Sequence, residues 1–566
     1  MFLKSLRSKK SAFLSNKEQG IQPSWLIVLS SLWMATIGNL ALWQELVRLP
    51  EMNDWRAVWF GVAFAALIAA LICMLMSLLC WRWTLKPVIS LFLISAALGA
   101  YFMLSYGVVI DSAMMVNVMH TDLRESSDLA SWKLVLVLLF LAVLPIVLLW
   151  KTQVKRFRLF KSLRNNALLF VAGATISVIA VLPIYQDFAS TMRNNMQLRF
   201  LVNPLNSFYG LSQLAMQPLQ TGVNTLQPIA QDAKLGQTYP DQAKSPLLIL
   251  VVGETARSGN FGINGYARDT TPELKQLQKN LDGTGSLNSF ENAWSCGTST
   301  ATSLPCMFSH LGKTAFEESE TNYENLLDVL ERAGVAVIWL ENQSGCKGIC
   351  DRIYRDSTQK MNVPELCNTG ECFDEIMLRR LTERFDTIPF QKLSTGVVVV
   401  MHQMGSHGPA YYKRAPEAFK KFKPECATNA LQDCSKAEVI NAYDNTIAYT
   451  DHFLSKVVAY LKEKTPHAQT AMMYVADHGE SLGENNIYLH GLPYLIAPDV
   501  QKHVPWISWL SNDFMTSRKL NATCLTTQST KKLSHDNYFH SVLGLMDIQT
   551  QLYKSELDIF ASCKTK

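Results

Sequence analysis

The sequence predicts an α/β protein in two parts: an N-terminal transmembrane domain of five helices, then a domain built on a parallel sheet. The first third of the chain is dominated by long apolar stretches, whereas the remainder has the composition of a globular protein. In that remainder, several short apolar runs end in polar residues. At 566 residues the chain is too long for a single domain.

Five stretches are long enough to cross a bilayer, which requires about 20 consecutive apolar residues per helix. Charged residues are almost absent from them. The alternative, five buried helices in the core of a soluble protein, is disfavoured. The stretches are Trp25–Trp43, Val58–Cys80, Val88–Ile110, Leu134–Trp150 and Ala167–Tyr185.

The charges between these stretches predict their orientation. Cytoplasmic loops are enriched in Lys and Arg, so the N-terminus is predicted to lie in the cytoplasm and everything after Tyr185 outside. The first stretch is long and no small-residue cleavage site follows it, which argues against a cleaved signal peptide. The net charge of +5 is too small to indicate nucleic acid, and no nucleic-acid partner is expected. The basic residues before the first stretch and after the second and fourth are Lys4, Arg7, Lys9, Lys10, Lys17, Arg82, Lys86, Lys151, Lys155, Arg156, Arg158, Lys161 and Arg164. The loops after the first and third stretches hold most of the acids, Glu45, Glu51, Asp54, Asp111, Asp122, Glu125 and Asp128.

The cysteines indicate an oxidising compartment. Cys73 and Cys80 lie in a predicted span, and the other ten of the 12 cysteines follow residue 290. Short loops close at the lowest entropic cost, so neighbours in sequence are predicted to pair. The spacing is unlike that of a zinc knuckle, and disulfides place the second domain in the periplasm or outside the cell. The predicted pairs are Cys296/Cys306, Cys346/Cys350, Cys367/Cys372 and Cys426/Cys434, while Cys524 and Cys563 form a fifth bridge or remain free.

Residues 186–245 are predicted to be a linker with helices at the membrane interface. Its amphipathic stretches alternate with proline, and Phe200, Phe208 and Tyr209 could rest on the membrane surface. A solvated connector is the alternative.

Three apolar runs in the second domain predict buried parallel strands, because each is apolar throughout. In such sheets ligands bind beyond the carboxyl ends of the strands. Polar residues that follow the runs are therefore expected to converge on one rim, which favours a metal-assisted hydrolase or transferase. The runs are Pro246–Val252, Gly396–Met401 and Thr470–Ala476, and the converging residues are Glu254, His407, Asp477 and His478.

Glu254, Asp477 and His478 supply two carboxylates and an imidazole, which suit zinc or manganese better than calcium. His407 and His490 lie in loops beside glycine. They are expected to contact a phosphate or a second metal, although a loop histidine is often structural.

The hydroxyl-rich segment Ser295–Ser303 offers a nucleophile, tied by the Cys296/Cys306 bridge. A helix N-terminus attracts phosphate, and a neighbouring metal would lower the pKa of a hydroxyl. A helix-capping run is the structural alternative. By composition alone the candidates are equal: Thr298, Ser299, Thr300 and Thr302.

Six motifs occur in an order that resembles the phosphoethanolamine transferases that modify lipid A, members of the alkaline phosphatase/sulfatase superfamily. The resemblance covers almost the full chain, including five spans before a periplasmic domain. The motifs are Val252-Gly253-Glu254-Thr255-Ala256-Arg257, Asn264-Gly265-Tyr266, Cys296-Gly297-Thr298-Ser299-Thr300, Gly405-Ser406-His407-Gly408-Pro409, Asp477-His478-Gly479-Glu480-Ser481 and Tyr488-Leu489-His490-Gly491.

This resemblance implies an alkaline-phosphatase-like α/β/α sandwich over residues 246–566, after a transmembrane domain over residues 1–185. It implies that Thr300 is the nucleophile and a zinc ligand together with Glu254, Asp477 and His478. The family's substrate-contacting residues correspond to His407, His490 and Lys347, and its lipid head-group positions to Asn117, Thr121 and Glu125. The last three are spaced i, i+4 and i+8, so one helix face could present all of them, although by themselves they would be ordinary loop residues.

The implied reaction transfers phosphoethanolamine from phosphatidylethanolamine to a phosphate of lipid A through a phosphoethanolamine-threonine intermediate. It would act with zinc at the bacterial inner membrane, as a monomer, and would reduce the negative charge of the outer membrane and give polymyxin resistance. Three alternatives remain open: a phosphoethanolamine or phosphoglycerol transferase acting on another periplasmic glycan, a sulfatase-like hydrolase, and a non-enzymatic membrane-anchored scaffold. A sulfatase normally has cysteine or serine at the nucleophile position, and a scaffold would not need the complete ligand set.

Overall fold

The computed structural model describes residues 20–49, 52, 55–121, 123–220, 226–239, 243–280, 282–358, 361–368, 371–385 and 395–565. The chain divides into two compact units, Met1–Met115 with Ala130–Ala215, and Val116–Leu129 with Met216–Lys566. Some of the charges used to predict the orientation lie outside the described residues. They are Lys4, Arg7, Lys9, Lys10, Lys17, Glu51, Asp54 and Asp122.

In the described part of the first unit, five helical segments are long and apolar enough to cross a membrane, as the sequence predicted. Many of their large apolar side chains are exposed, among them Trp25, Trp59, Phe140 and Ile179. Such apolar outer surfaces are typical of helices that face lipid. The segments are Pro23–Val47, Ala57–Leu79, Leu85–Tyr106, Trp132–Lys151 and Leu159–Asn194.

Three of these segments are interrupted. In the first, a short 3-10 turn separates the helices Pro23–Thr36 and Leu40–Val47. In the fourth, a π-helical turn precedes Pro145, whose missing N–H removes a helical hydrogen bond. In the fifth, the 3-10 turn Leu182–Ile184 separates the helices Leu159–Val181 and Tyr185–Asn194. The helices of this unit and of its connections are Pro23–Thr36, Leu40–Val47, Trp55–Leu79, Leu85–Tyr106, Ser112–His120, Leu123–Leu129, Trp132–Leu138, Leu144–Lys151, Leu159–Val181, Tyr185–Asn194, Gln197–Phe200 and Leu205–Gln220.

The predicted linker begins with three helices, Tyr185–Asn194, Gln197–Phe200 and Leu205–Gln220. Phe208 stacks on Phe92 with ring centroids 4.1 Å apart and is half-buried. Tyr209, its neighbour, is exposed.

The second unit is built on an eight-stranded sheet. The strands of this unit are β1 Lys234–Leu235, β2 Ser245–Gly253, β3 Gly285–Trp294, β4 Ala336–Glu341, β5 Tyr354–Ser357, β6 Cys367–Asn368, β7 Glu371–Cys372, β8 Val397–His402, β9 Ala468–Ala476, β10 Ser481–Glu484, β11 Ile487–Leu489, β12 His503–Ser511, β13 Leu533–Ser534 and β14 Ile548–Gln549. The order in the large sheet is β13-β3-β12-β9-β2-β8-β4-β5. Strands β9, β2, β8, β4 and β5 are parallel neighbours, whereas β12 runs antiparallel to both β3 and β9. The three predicted apolar runs are β2, β8 and β9, and they are adjacent.

The central strands β2, β8 and β9 are buried along almost their whole length. Helices of the second unit complete the core around them. The longest, Lys436–Lys464, begins with a capping box in which Ser435 and Glu438 satisfy each other's backbone N–H groups. The helices are Pro272–Gln278, Thr300–Met307, Lys313–Glu318, Leu326–Arg332, Ile376–Phe385, Lys436–Lys464, Asn512–Ser517, Ala522–Thr527 and Tyr538–Leu545.

Disulfides join the neighbouring cysteines of the second unit, in the four pairs that the sequence predicted. Cys524 and Cys563 form a fifth bridge. Cys73, in the second span, and Cys80, directly after it, are free and buried. The four confirmed pairs are Cys296–Cys306, Cys346–Cys350, Cys367–Cys372 and Cys426–Cys434.

The two cysteines of the last predicted pair differ in exposure. Cys426 is buried, whereas Cys434 is only half-buried and packs against the edge of the core. Cys434 follows the 3-10 helix Leu431–Asp433, and its backbone N–H donates to the carbonyl of Leu431 at 3.2 Å. Because the next residue, Ser435, caps the longest helix, this bridge ties the start of that helix to the preceding loop. Cys434 therefore has a structural role in this disulfide.

Candidate active site

Three side chains that could hold a metal meet beyond the carboxyl ends of two adjacent strands. Glu254 follows β2, and Asp477 and His478 follow β9, whose Ala476 is in register with Gly253. One ligand atom from each of the three side chains lies within 4.8 Å of the other two. The predicted convergence of these residues therefore follows directly from the parallel pairing of β2 and β9.

The backbone orients Asp477 and His478 toward the same point. Oδ1 of Asp477 accepts hydrogen bonds from the backbone N–H groups of Thr255 at 3.2 Å and His478 at 2.8 Å. Nδ1 of His478 lies 2.9 Å from the carbonyl oxygen of Gly479, which can only accept, so Nδ1 carries the proton. This leaves Nε2 of His478 as an electron-pair donor, the arrangement typical of histidines that bind metals.

The structure separates the hydroxyls that composition left equal. Oγ1 of Thr300 lies 3.1 Å from Oε2 of Glu254 and 3.3 Å from Nε2 of His478. Thr298 instead donates to the carbonyl of Leu492 at 2.6 Å. The hydroxyls of the other two candidates, Ser299 and Thr302, lie 3.1 Å from each other.

The spacing of these atoms fits a small tetrahedral cation. Nε2 of His478 is 3.5 Å from Oε1 of Glu254 and 3.5 Å from Oδ2 of Asp477. Zinc bonds of about 2.0–2.1 Å in a tetrahedron place neighbouring ligand atoms about 3.3 Å apart. Among the described residues Oδ2 of Asp477 has no hydrogen-bond partner, so a buried carboxylate oxygen is available.

The electrostatics of the cluster also favour a cation. Burial raises the pKa of Glu254 well above its usual value, and the neighbouring Asp477 carboxylate raises it further. Burial lowers the pKa of His478, so its imidazole is neutral near neutral pH. Two buried carboxylates of like charge repel each other, and a divalent cation between them removes that repulsion.

Gln343 is a contributor that the sequence did not suggest. Its Nε2 donates to Oε2 of Glu254 at 3.0 Å and helps to fix the orientation of that carboxylate. Its own backbone N–H donates to Oε1 of Glu341 at 2.8 Å, at the end of β4. Burial opposes ionisation of Glu341, but His402 on the adjacent strand β8 holds its pKa below the usual value. These contacts join residues at the ends of separate strands, so the sequence does not reveal them. The only signal in the sequence is the position of Gln343 just after β4.

His535 is a second contributor that the sequence did not suggest. Its Nδ1 accepts the backbone N–H of Cys296 at 3.1 Å, and its Nε2 donates to the carbonyl of Ala476 at 3.0 Å. Burial lowers the pKa of His535 to about 4, which keeps the ring neutral, as these two bonds require. Ser303 donates to the carbonyl of Asp477, so the segment that carries Thr300 is tied to the end of β9 through His535 and to the residue after β9 through Ser303.

His407 and His490 lie beside the cluster. The ring of His490 is 4.3 Å from that of His478 and 5.8 Å from that of His407, measured between centroids. Nδ1 of His490 lies 3.0 Å from Oε2 of the buried Glu480. Burial lowers the pKa of His407 well below its usual value, with a smaller contribution from the charge of Arg414.

Lys347 has a left-handed backbone conformation with φ 51° between Cys346 and Cys350, which form a disulfide. Its charge opposes the effect of burial on the pKa of Glu254, so the ammonium group acts on the cluster electrostatically.

The segment with Asn117, Thr121 and Glu125 is not one continuous helix, so the predicted common helix face is wrong. The helix Ser112–His120 ends before Thr121, and a second helix, Leu123–Leu129, contains Glu125. The hydroxyl of Thr121 donates to the carbonyl of Asn117 at 2.8 Å, which satisfies a carbonyl at the end of the first helix. The side chain of Glu125 lies outside the described part of the chain.

Two family models match this chain. The sulfatase model matches residues 246–548, and the model of phosphoethanolamine transferase EptA/EptB matches residues 68–219. Phosphoethanolamine transferase EptA of Escherichia coli K12 is 36% identical over 551 residues, covering 96% of this chain and 97% of the relative. Phosphatidylethanolamine transferase Mcr-1 of Escherichia coli is 34% identical, with coverage of 95% and 97%.

Solved structures give the same result over both parts of the chain. The integral membrane lipooligosaccharide phosphoethanolamine transferase A of Neisseria meningitidis aligns with a TM-score of 0.89 at 35% identity. The alignment covers 96% of this chain and 99% of that one. The soluble domain of the same enzyme aligns with a TM-score of 0.56 at 42% identity over 60% of this chain and 99% of that one.

Proposed function

The chain belongs to the phosphoethanolamine transferase family, and we propose that it transfers phosphoethanolamine from phosphatidylethanolamine to a phosphate of lipid A. The observation that carries the proposal is the position of the Thr300 hydroxyl, 3.1 Å from Glu254 and 3.3 Å from His478. The relatives named above are phosphoethanolamine or phosphatidylethanolamine transferases, which supports phosphoethanolamine as the transferred group. Two lipid substrates explain why the catalytic domain is joined to membrane spans.

In the first half of the reaction, the Thr300 oxygen attacks the phosphorus of phosphatidylethanolamine. A bond forms between that oxygen and phosphorus, the bond from phosphorus to the glycerol oxygen breaks, and diacylglycerol leaves with the proton lost by the hydroxyl. The product is a phosphodiester of ethanolamine on Thr300. Thr300 is the first residue of the helix Thr300–Met307, so the backbone N–H groups of the first turn favour the anionic phosphoryl group.

In the second half, a phosphate oxygen of lipid A attacks the same phosphorus. The bond from phosphorus to Thr300 breaks and the hydroxyl is restored. We assign His407 and His490 to the phosphoryl group, because the ring of His490 lies next to that of His478 and the ring of His407 lies next to that of His490. Lys347 would add positive charge, and Asn117, Thr121 and Glu125 would contact the lipid head group.

Zinc is the metal that we propose for the cluster, held by Glu254, Thr300, Asp477 and His478. When bound, zinc lowers the pKa of a neighbouring hydroxyl and offsets negative charge that develops on phosphoryl oxygens. Gln343 orients the Glu254 carboxylate, and the Gly479 carbonyl sets the tautomer of His478.

We place the enzyme in the bacterial inner membrane as a monomer, with its catalytic domain in the periplasm. The proposed boundaries are residues 1–185 for the membrane domain, 186–245 for the linker and 246–566 for the catalytic domain. Adding an ethanolammonium group to lipid A offsets a phosphate charge of the outer membrane. Cationic polymyxins would then bind less well, which gives resistance.

The test is mass spectrometry of lipid A from a bacterium whose own lipid A lacks phosphoethanolamine. Expression of this protein is expected to add the mass of one phosphoethanolamine group, with isotopic label from ethanolamine-labelled phosphatidylethanolamine. Incubation without acceptor is expected to leave the group on the peptide that contains Thr300. Label in another glycan would indicate a different acceptor, and free phosphoethanolamine without a lipid product would indicate a hydrolase.

A further inference from the structure

Asp128 is an acidic residue between the third and fourth spans in sequence, yet it is almost fully buried. It is 3% exposed and belongs to the segment Val116–Leu129, which groups with the second unit. Oδ2 of Asp128 accepts a hydrogen bond from Nη2 of Arg414 at 2.9 Å, and Oδ1 accepts one from Lys413. The carbonyl of Asp128 accepts a further bond from the side chain of Asn429 at 2.7 Å.

Arg414 connects this carboxylate to the candidate active site. It is 6% exposed, and its Nε donates to the carbonyl of His407 at 2.9 Å. A third nitrogen, Nη1, donates to Glu371 on β7, which is cross-linked to β6 by the Cys367–Cys372 disulfide. The planar guanidinium thus holds three partners at fixed angles, which an ammonium group could not do.

The strength of this ion pair does not explain why it is buried. Taking charges out of water is costly, and apolar replacements of buried ion pairs are often neutral or stabilising. The attested advantage of such pairs is that they fix one geometry. The pair joins the helix Leu123–Leu129, which begins two residues after Thr121, to the arginine that bonds the carbonyl of His407. The geometry that it constrains is therefore the distance between this part of the chain and the His407 loop.

We propose that Asp128 is a positioning residue for the donor lipid. Through Arg414 it holds the segment of Asn117, Thr121 and Glu125 at one distance from His407, so that the ethanolamine end and the phosphorus of the donor reach their sites together. The inference rests on the proposed function, in which that segment contacts the head group. Asp128 itself would touch neither the substrate nor the metal.

The test compares two substrates with the full-length enzyme in mixed micelles. The first is phosphatidylethanolamine, and the second is 4-nitrophenyl methyl phosphate, a soluble phosphodiester without ethanolamine. Asp128→Asn is expected to raise KM for phosphatidylethanolamine about tenfold, because small displacements of a positioning group have large effects on reaction geometry. The values of kcat for both substrates, and KM for the soluble one, are expected to stay within about twofold of the wild type.

Asp513→Asn is the matched control, since it makes the same substitution at an exposed aspartate that pairs with Lys244. Asp128→Glu tests the idea if Asp128→Asn does not fold. It keeps the charge but lengthens the side chain by one methylene, so it is expected to raise the same KM and no other constant.

Equal losses with both substrates would show that Asp128 serves only the fold or the chemical step, and would overturn the inference. An unchanged KM in a folded Asp128→Asn or Asp128→Glu variant would overturn it as well. If the wild-type enzyme is active on phosphatidylethanolamine, neither equal losses nor an unchanged KM in the variants contradicts the proposed function. A wild-type enzyme that cleaves the soluble diester but not phosphatidylethanolamine would refute the proposed donor and this inference together.

Discussion

Removal of the Cys296–Cys306 disulfide is expected to lower both the stability of the second unit and the rate of transfer. The bridge closes a sequence separation of 10 residues around Thr300. A cross-link reduces the entropy of the unfolded chain, and for a loop of this length the stabilisation is about 2.7 kcal/mol at 25 °C. The double substitution Cys296→Ser with Cys306→Ser should therefore lower the free energy of unfolding by about that amount.

The Cys524–Cys563 disulfide supplies a matched control. It closes a longer sequence separation of 39 residues, joining the helix Ala522–Thr527 to the C-terminal turn. The same relation gives about 3.9 kcal/mol for this loop. Loss of the C-terminal bridge should therefore destabilise the protein more than loss of the bridge around Thr300, yet leave kcat nearly unchanged.

Urea unfolding of the catalytic domain, followed by tryptophan fluorescence, measures the two free energies. The rate is measured with the full-length enzyme and phosphatidylethanolamine in mixed micelles. Loss of the Cys296–Cys306 bridge is expected to lower kcat at least tenfold, since a displacement of about 1 Å at a reacting group can lower a rate about 10²-fold. Full kcat without this bridge, or a larger loss of kcat without the Cys524–Cys563 bridge, would refute the argument.

Three further results are expected. Thr300→Ala should abolish transfer and leave the stability of the fold nearly unchanged, because only a small hydroxyl-bearing side chain is trimmed, whereas Thr300→Ser should retain part of the activity. Zinc content measured by elemental analysis should fall in His478→Ala and stay near the wild-type level in His490→Ala, although both should lose activity, and chelation followed by zinc should abolish and restore turnover. The Glu375 and Glu273 carboxylates beside its ring raise the pKa of His452, so the stability that its charge contributes is present below about pH 6.5 and is lost as pH rises through the raised value.

These expectations can be contradicted separately. Near wild-type transfer by Thr300→Ala would assign the nucleophile to another hydroxyl, and Thr302→Ala is the control that should retain transfer. Equal zinc loss from His490→Ala and His478→Ala would make His490 a direct ligand. The pH dependence is measured by urea unfolding, with the exposed His467→Gln as control. A His452→Gln variant that keeps the wild-type dependence would refute the role of His452.

Features that depend on neighbouring residues could be predicted from the sequence. A bilayer span depends on the length and apolar composition of one segment. The first four spans lie within a few residues of their predicted positions, whereas the fifth helical segment begins earlier than predicted and extends to Asn194. The strands β2, β8 and β9 were predicted because strands buried on both faces are apolar at every position. The disulfide pairs, Cys426–Cys434 among them, followed from the low entropy of closing short loops.

Other features required the tertiary structure because their partners are far apart in sequence. Contacts that the sequence does not reveal distinguish Thr300 from the other candidate nucleophiles. The hydroxyls of Ser299 and Thr302 lie next to each other, and that of Thr298 donates to the distant carbonyl of Leu492. Strand β12 runs antiparallel beside β9, and no pattern in the sequence near β12 predicts this direction or this position in the sheet.

Apolar length and periodicity are properties of each segment by itself, so the sequence determined the membrane spans, the central strands and the residues that follow them. A hydrogen bond between two buried polar groups depends on the directions of both side chains, and these are defined only when the segments pack. The tertiary structure alone therefore decided the bond of Gln343 to Glu254, the two bonds of His535 and the ion pair of Asp128 with Arg414. It also decided that the first helix ends at His120, beside the bond of the Thr121 hydroxyl to the Asn117 carbonyl, and that a separate helix begins at Leu123.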